Sequence, residues 1–190
     1  MLVLASKSPR RQQILRDAGI PFVVRSPDVH EERAPQESAV DYVRRLAQEK
    51  AHAVALESDD VILGADTVVV VGGQVLEKPL DSRDAMRMLR ALSGREHEVV
   101  TGICLRSESR TIVDSAVTRV HFVELTPAEI ESYAASGEPM DKAGAYAIQG
   151  LASKFIDRVD GCYFNVVGLP VALVYRYWKE LLQSSVRGTL

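Results

Sequence analysis

Apolar residues run unbroken from Leu2 to Ala5, stop at Ser6-Lys7-Ser8-Pro9, and return at Ile14, Leu15 and Ala18 with the spacing of a helix. The pattern predicts a strand, a loop and a helix. Ser8 suits the cap, Pro9 suits the first helical position because its missing N–H would be unpaired there anyway, and Gly19 suits the stop. Pro21 to Arg25 reads as a second strand, and the charged, proline-broken stretch from Glu31 to Gln36 as a loop. A longer helix is predicted from about Ser38 to Leu56, burying Val43, Leu46, Ala47 and Ala51.

The run from Val61 to Val71 is rich in β-branched residues and interrupted only by Gly64-Ala65-Asp66-Thr67, which predicts a central strand buried on both faces. Gly72-Gly73 predicts a hairpin into Gln74-Val75-Leu76. Asp81 heads a helix with Ala85, Met86, Leu89 and Leu92 on one side, and Ser93-Gly94 ends it. Glu98 to Leu105 and Thr111 to Phe122 alternate as a long antiparallel pair should. Thr126, three residues ahead of Glu129, has the spacing of a capping box. From Gly137 to Gly150 the chain is glycine-rich without helical or strand period, the composition of a loop that carries function. A last strand region is expected from about Phe155 to Val167, then Gly168-Leu169-Pro170 and a C-terminal helix ending near Leu182, with a frayed tail beyond. Helices and strands interleave, while the hairpins exclude a purely parallel arrangement. The expected class is α/β, a mixed twisted sheet flanked by helices, in one domain spanning residues 1–190.

Composition narrows the functional classes. The chain has 190 residues, 46% hydrophobic and 26% charged, ordinary for a globular protein. Its net charge of −3 argues against a protein that coats DNA or RNA. No apolar run approaches the roughly 20 residues needed to span a bilayer, and the N-terminal run is too short for a signal peptide, so a cytoplasmic location without membrane association is expected. Cys104 and Cys162 lack metal-ligand spacing and read as reduced packing residues. A P-loop, a GxGxxG signature, HExxH and a GxSxG elbow are all absent from the sequence.

Four segments could carry chemistry. Ser6-Lys7-Ser8-Pro9-Arg10-Arg11 lies where a strand meets a helix N-terminus, a place whose backbone N–H groups, hydroxyls and guanidiniums suit phosphate; the plain alternative is a capped surface helix. Asp66 falls inside an apolar strand, where an ionised carboxylate needs a metal or cation beside it; a structural ion pair is the alternative. Lys78 follows the hairpin and is stiffened by Pro79, so it could meet phosphate or simply be a surface lysine. Glu31 and Glu32, beside His30 and Arg33, could take up a hard cation such as Mg²⁺ or form a solvated charge cluster. Lys50, Lys142 and Gln149 carry weaker signals.

Taken in order, Leu4 to Arg11, Gly64-Ala65-Asp66-Thr67-Val68, Glu77-Lys78-Pro79, Leu89 to Gly94, Gly137 to Gly150 and Val166 to Pro170 resemble the Maf family of nucleoside triphosphate pyrophosphatases, from Leu2 to the C-terminal helix. The resemblance implies a Maf/ITPase-like fold with two lobes around a central cleft, a homodimer, a divalent cation (Mg²⁺ or Mn²⁺) and hydrolysis of a nucleoside triphosphate to the monophosphate and pyrophosphate. Arg10-Arg11, Asp66-Thr67 and Asp141 to Tyr146 with Gln149 look like the branch acting on dTTP and UTP, which implies a house-cleaning role that could extend to modified pyrimidine nucleotides. By the same resemblance Asp66 is the general base or metal-linked carboxylate, Glu31 the metal partner and Lys78 a catalytic cation. Ser6, Ser8, Arg10, Arg11, Lys50, Thr67, Lys142 and Gln149 would bind substrate. His30-Glu31-Glu32 leaves two glutamates for the metal-partner position, since the family commonly has an acidic residue where His30 stands. The rival class is a nucleotide-binding regulator of septum formation that binds triphosphates without hydrolysing them.

Overall fold

The structure, a computed structural model, describes residues 1–187; residues 188–190, where the sequence predicts fraying, lie outside the described residues. Seven strands form one mixed sheet: β1 (Leu2–Ala5), β2 (Phe22–Val24), β3 (Val61–Val71), β4 (Gln74–Leu76), β5 (Glu96–Arg106), β6 (Thr111–Phe122) and β7 (Ile156–Asp160). The order is β2-β1-β3-β5-β6-β7, with β4 paired to β3. β1 runs parallel to both neighbours, Leu2 facing Phe22 on one side and Val61 on the other, and all four of its side chains are buried. A strand covered on both faces reads as a continuous apolar run, which is why Leu2 to Ala5 lacks alternation. The Gly72-Gly73 turn takes φ of 56° and 78°, as a tight hairpin requires, and sets β4 antiparallel to β3.

Among the described residues, six α-helices accompany the sheet, α1 (Pro9–Asp17), α2 (Ala39–His52), α3 (Ser82–Leu92), α4 (Pro127–Ala135), α5 (Tyr163–Val167) and α6 (Val171–Arg187), with three short 3-10 turns between Glu138 and Phe155. Ser8, Ser38, Asp81 and Thr126 each cap the helix that follows with a side-chain oxygen, and Thr126 with Glu129 completes both bonds of a capping box. The chain divides into two compact units. The first holds residues 1–66, 101–116 and 168 onward; the second holds residues 67–100 and 117–167. β3, β5 and β6 each give residues to both.

In the first unit α2 lies directly on the sheet because two strand positions lack side chains. A Cβ on Gly64 would sit 2.0 Å from the Ala47 carbonyl oxygen, and one on Gly102 would sit 2.2 Å from that of Val43. Val43, Ala47, Lys50 and Ala51 share one helix face, so the contact that seats Ala47 over Gly64 also carries Lys50 over the next inward position of β3, Asp66. Each large apolar side chain buried by this packing, such as Leu46, contributes roughly 1.5–3 kcal/mol. In the second unit α3 buries Ala85, Met88, Leu89 and Leu92, and His97, Phe122 and Tyr146 meet edge to face with centroids 4.8 to 5.3 Å apart.

Three expected boundaries and one helix face differ from the sequence reading. α2 ends at His52 rather than Leu56, because Arg106 takes the Ala51 and Val54 carbonyls and Arg25 takes that of Ala55, satisfying carbonyls that further helix would otherwise serve. The inward face of α3 uses Met88 instead of Met86, since positions 85, 88, 89 and 92 follow the helical period. The region from Phe155 to Val167 splits into β7 and α5. Gly161, at φ 127°, turns the chain against Thr118, and Asn165 donates to the Val99 carbonyl at 2.9 Å and the Thr118 hydroxyl at 3.0 Å, which overrides the strand propensity of Tyr163 to Val167. α6 continues to Arg187, past Leu182. Both cysteines are free; burial pushes the Cys104 thiol up to about 12, an inert packing residue.

Candidate active site

β1 delivers Ser6 to the N-terminus of α1, and Ser8 closes that turn. The Ser8 N–H donates to the Ser6 hydroxyl oxygen at 3.2 Å, and the Ser8 hydroxyl accepts from the Arg11 N–H at 3.5 Å. Arg11 turns back beneath the loop. Its Nε donates to the Gly168 carbonyl at 2.8 Å, and its Nη1 donates to the Ala65 carbonyl at 2.9 Å and the Ser6 hydroxyl at 3.2 Å. One guanidinium thus ties the loop after β1, the residue before Asp66 and the turn before α6 to one another. Burial lowers the Arg11 pKa and the Asp66 carboxylate opposes that fall; a guanidinium stays protonated regardless.

Asp66 is 7% exposed, on the strand position next inward from Gly64. Its Oδ1 accepts from Lys50 Nζ at 2.6 Å, and the same ammonium lies 2.6 Å from Glu31 Oε1. The two carboxylate oxygens are therefore no farther apart than twice that length, with a cation between them. Burial pushes the Asp66 carboxyl above the ordinary aspartate range and Glu31 adds to the push, while Lys50 and Arg11 pull it back. A carboxylate so placed accepts a proton more readily than a solvated one, which is what a general base requires. Two hard oxygen donors also suit a divalent cation that completes its shell with water and substrate phosphate. Among the described residues, no group of three or more His, Cys, Asp or Glu forms a self-sufficient metal cage.

Geometry separates the two glutamates left open by the sequence. Glu31 reaches Lys50, whereas Glu32 pairs with His30 at 3.0 Å on the surface. The loop is tacked to α2 by Arg45, which donates to the Glu32 carbonyl and both Glu37 carboxylate oxygens. Of the residues expected at the site, Ser6, Ser8, Arg11, Glu31, Lys50 and Asp66 belong to this unit, and Arg10, half-buried on α1, adds a positive charge felt at Arg11.

Thr67, Lys78, Lys142 and Gln149 belong to the second unit. Lys78 and Gln149 are exposed, and Thr67 and Lys142 half-buried. The Gly144 N–H donates to the Glu77 carbonyl at 3.1 Å, joining the glycine-rich loop to the residue before Lys78. Gly144, at φ 70°, has room for no side chain, since a Cβ would meet Val69 at 2.7 Å. Tyr146 Oη hydrogen-bonds His97 Nε2 at 2.8 Å, and burial lowers the His97 pKa to about 4.

Lys50 had only a weak signal in the sequence and is central here. Its mark was visible: a lysine sharing a helix face with Val43, Ala47 and Ala51 needs a buried partner.

The family model described as Maf-like protein matches residues 1–181. A protein of Koribacter versatilis (strain Ellin345) named dTTP/UTP pyrophosphatase is 51% identical over 180 residues, 94% of this chain and 93% of its own. Proteins of the same name from Anaeromyxobacter dehalogenans (strain 2CP-C) and Escherichia coli O157:H7 are similar as well. The first is 53% identical, covering 90% of this chain and 89% of its own. The second is 51% identical, covering 96% and 92%.

Proposed function

This chain belongs to the Maf family, and we infer from that membership and the site geometry that it hydrolyses dTTP and UTP to the monophosphate and pyrophosphate. The observation that carries the reading is a buried, proton-hungry Asp66 held by Lys50 beside a strand-to-helix turn suited to phosphate. Asp66 takes a proton from water, and the water oxygen bonds to the α-phosphorus. The bond from that phosphorus to the α–β bridging oxygen breaks, and pyrophosphate leaves with the electron pair. Arg10 and Lys78 offset charge growing on the leaving group, and Arg11 holds the loop and adds positive field. Ser6, Ser8 and Thr67 supply hydroxyl donors to phosphate oxygens, and Lys142 and Gln149 contact phosphates or base.

Asp66 and Glu31 would hold Mg²⁺ or Mn²⁺, with Lys50 moving to the phosphates; when bound, such an ion supplies charge neutralisation and lowers the pKa of water. The substrate class points to the cytoplasm, where nucleoside triphosphates are free, and the described residues include no helix long and apolar enough to cross a membrane. No observation favours the non-hydrolysing regulator. The test incubates the purified protein and Mg²⁺ with dTTP, UTP, modified pyrimidine triphosphates and purine triphosphates, then separates products. Pyrophosphate released fastest from dTTP and UTP is expected. Orthophosphate, or tight binding without turnover, overturns the reading. Sedimentation of the same preparation tests the homodimer implied by the resemblance.

A further inference from the structure

The loop after α4 is closed by its own first residue. Both carboxylate oxygens of Glu138 accept from the Leu151 N–H, at 3.0 and 3.1 Å, so a side chain at one end of the loop holds the backbone at the other. Tyr133, from α4, braces the closure from within. Its hydroxyl donates to Glu138 Oε1 at 2.8 Å and accepts from the Ala147 N–H at 3.2 Å. Tyr133 is 4% exposed and packs edge to face on Phe155, so the brace is anchored in the core of its unit. Gly150 completes the fit: a Cβ there would lie 2.3 Å from Glu138 Oε2, so only glycine lets the carboxylate lie flat against the chain. The Glu138 backbone carbonyl, meanwhile, accepts from Lys142 Nζ at 2.6 Å. Lys142 and Gln149 both lie on the stretch so enclosed.

The shape of this arrangement distinguishes it from ordinary surface bonding. A flexible loop of this length has many conformers, and closing its ends removes most of them before any ligand arrives. A carboxylate also suits the closing position, because the Leu151 N–H and the Tyr133 hydroxyl both donate to it and charge-assisted bonds are the stronger kind. We propose that Glu138 is a positioning residue for the reaction, its carboxylate clasping residues 138–151 through Leu151 and Tyr133 so that Lys142 and Gln149 are pre-set for the nucleotide. The proposal rests on the reading above that those two residues contact substrate.

The test uses the full-length protein and the variants Glu138→Ala, Glu138→Gln, Tyr133→Phe, Gln149→Ala and Lys142→Ala. Backbone amide exchange across 138–151 and steady-state kinetics with dTTP are both measured. Glu138→Ala should speed exchange at Ala147 and Leu151 and lower kcat/KM by about 10- to 100-fold, mainly through KM, as removal of a charged anchor does. Glu138→Gln keeps one acceptor but turns an amide donor toward the Leu151 N–H, so it should fall between Glu138→Ala and the unaltered protein. Tyr133→Phe, which keeps the ring, should speed exchange at Ala147 with a smaller rise in KM. It also stands in as the test of the brace if Glu138→Ala does not fold. Combining Glu138→Ala with Gln149→Ala should cost little more than Glu138→Ala alone, because a displaced glutamine has little left to lose.

Unchanged exchange in Glu138→Ala overturns the clasp, whatever the kinetics show. Faster exchange with unchanged KM, while Gln149→Ala raises KM, overturns the positioning role alone. Unchanged KM in both Gln149→Ala and Lys142→Ala overturns the substrate reading and, with it, the purpose assigned to Glu138.

Discussion

The two units hold their candidate residues by opposite means. In the first, Lys50 and Asp66 are buried and paired, with Glu31 on the same ammonium, and buried Arg11 is fixed by the Ala65 and Gly168 carbonyls and the Ser6 hydroxyl. In the second, Lys78 and Gln149 are exposed, and order comes from the segments that carry them: Gly144 on the Glu77 carbonyl, Tyr146 on His97, Glu138 on Leu151. The difference matches the two tasks proposed for these residues. A group that must take a proton benefits from burial that shifts its pKa, whereas groups that greet a charged ligand from water need reach and a firm base.

The largest effect should come from Asp66→Asn. If the buried carboxylate is the base, kcat falls at least ~10³-fold while the fold is kept, because the neutral isostere preserves the shape and Glu31 still pairs with the Lys50 ammonium. Turnover near the original rate would place the chemistry elsewhere. Next, Lys50→Met should cost about 3 to 5 kcal/mol in denaturant unfolding, toward the lower figure because Asp66 can escape by protonating. The same change made beside Asp66→Asn should cost much less. Equal costs in both backgrounds would mean that the first unit is not held by mutual charge.

The second unit is expected to be the pH-sensitive scaffold. His97 titrates at about 4 when folded, against an ordinary 6.5, so the unfolded chain binds a proton between those values that the folded chain refuses. Its stability contribution is complete above the ordinary value and is lost as pH falls toward the folded one, amounting to roughly 3 kcal/mol. His97→Gln should flatten that part of the stability-against-pH curve; an unchanged slope would assign it to other groups. Smallest of the four, Lys78→Ala should lower kcat by about 10²-fold without affecting stability, the expected loss for one exposed donor to a leaving group. Loss of stability instead would give Lys78 a structural place.

Much of the fold was legible because local rules agreed with the outcome. Ser8-Pro9, the Gly72-Gly73 turn and the Thr126 capping box each specify geometry within a few residues. What stayed hidden depends on partners far along the chain. Tyr163 to Val167 has strand composition, yet Asn165 finds Val99 and Thr118, some 47 to 66 residues away, and becomes helical. The site divides the same way. Asp66 stood out because a carboxylate in an apolar strand is costly wherever it lies. Lys50 needed Gly64 and Gly102 to admit α2 before its reach to Asp66 existed, and Glu138 shows its use only once Gly150 and Leu151 return beside it.

The central claim is that a water activated at Asp66 attacks the α-phosphorus. Hydrolysis of dTTP in ¹⁸O-enriched water, with mass analysis of both products after a single turnover, addresses it directly. The account predicts one ¹⁸O atom in the thymidine monophosphate and none in pyrophosphate. Label in the pyrophosphate would contradict it, since the attack would then fall on the β-phosphorus.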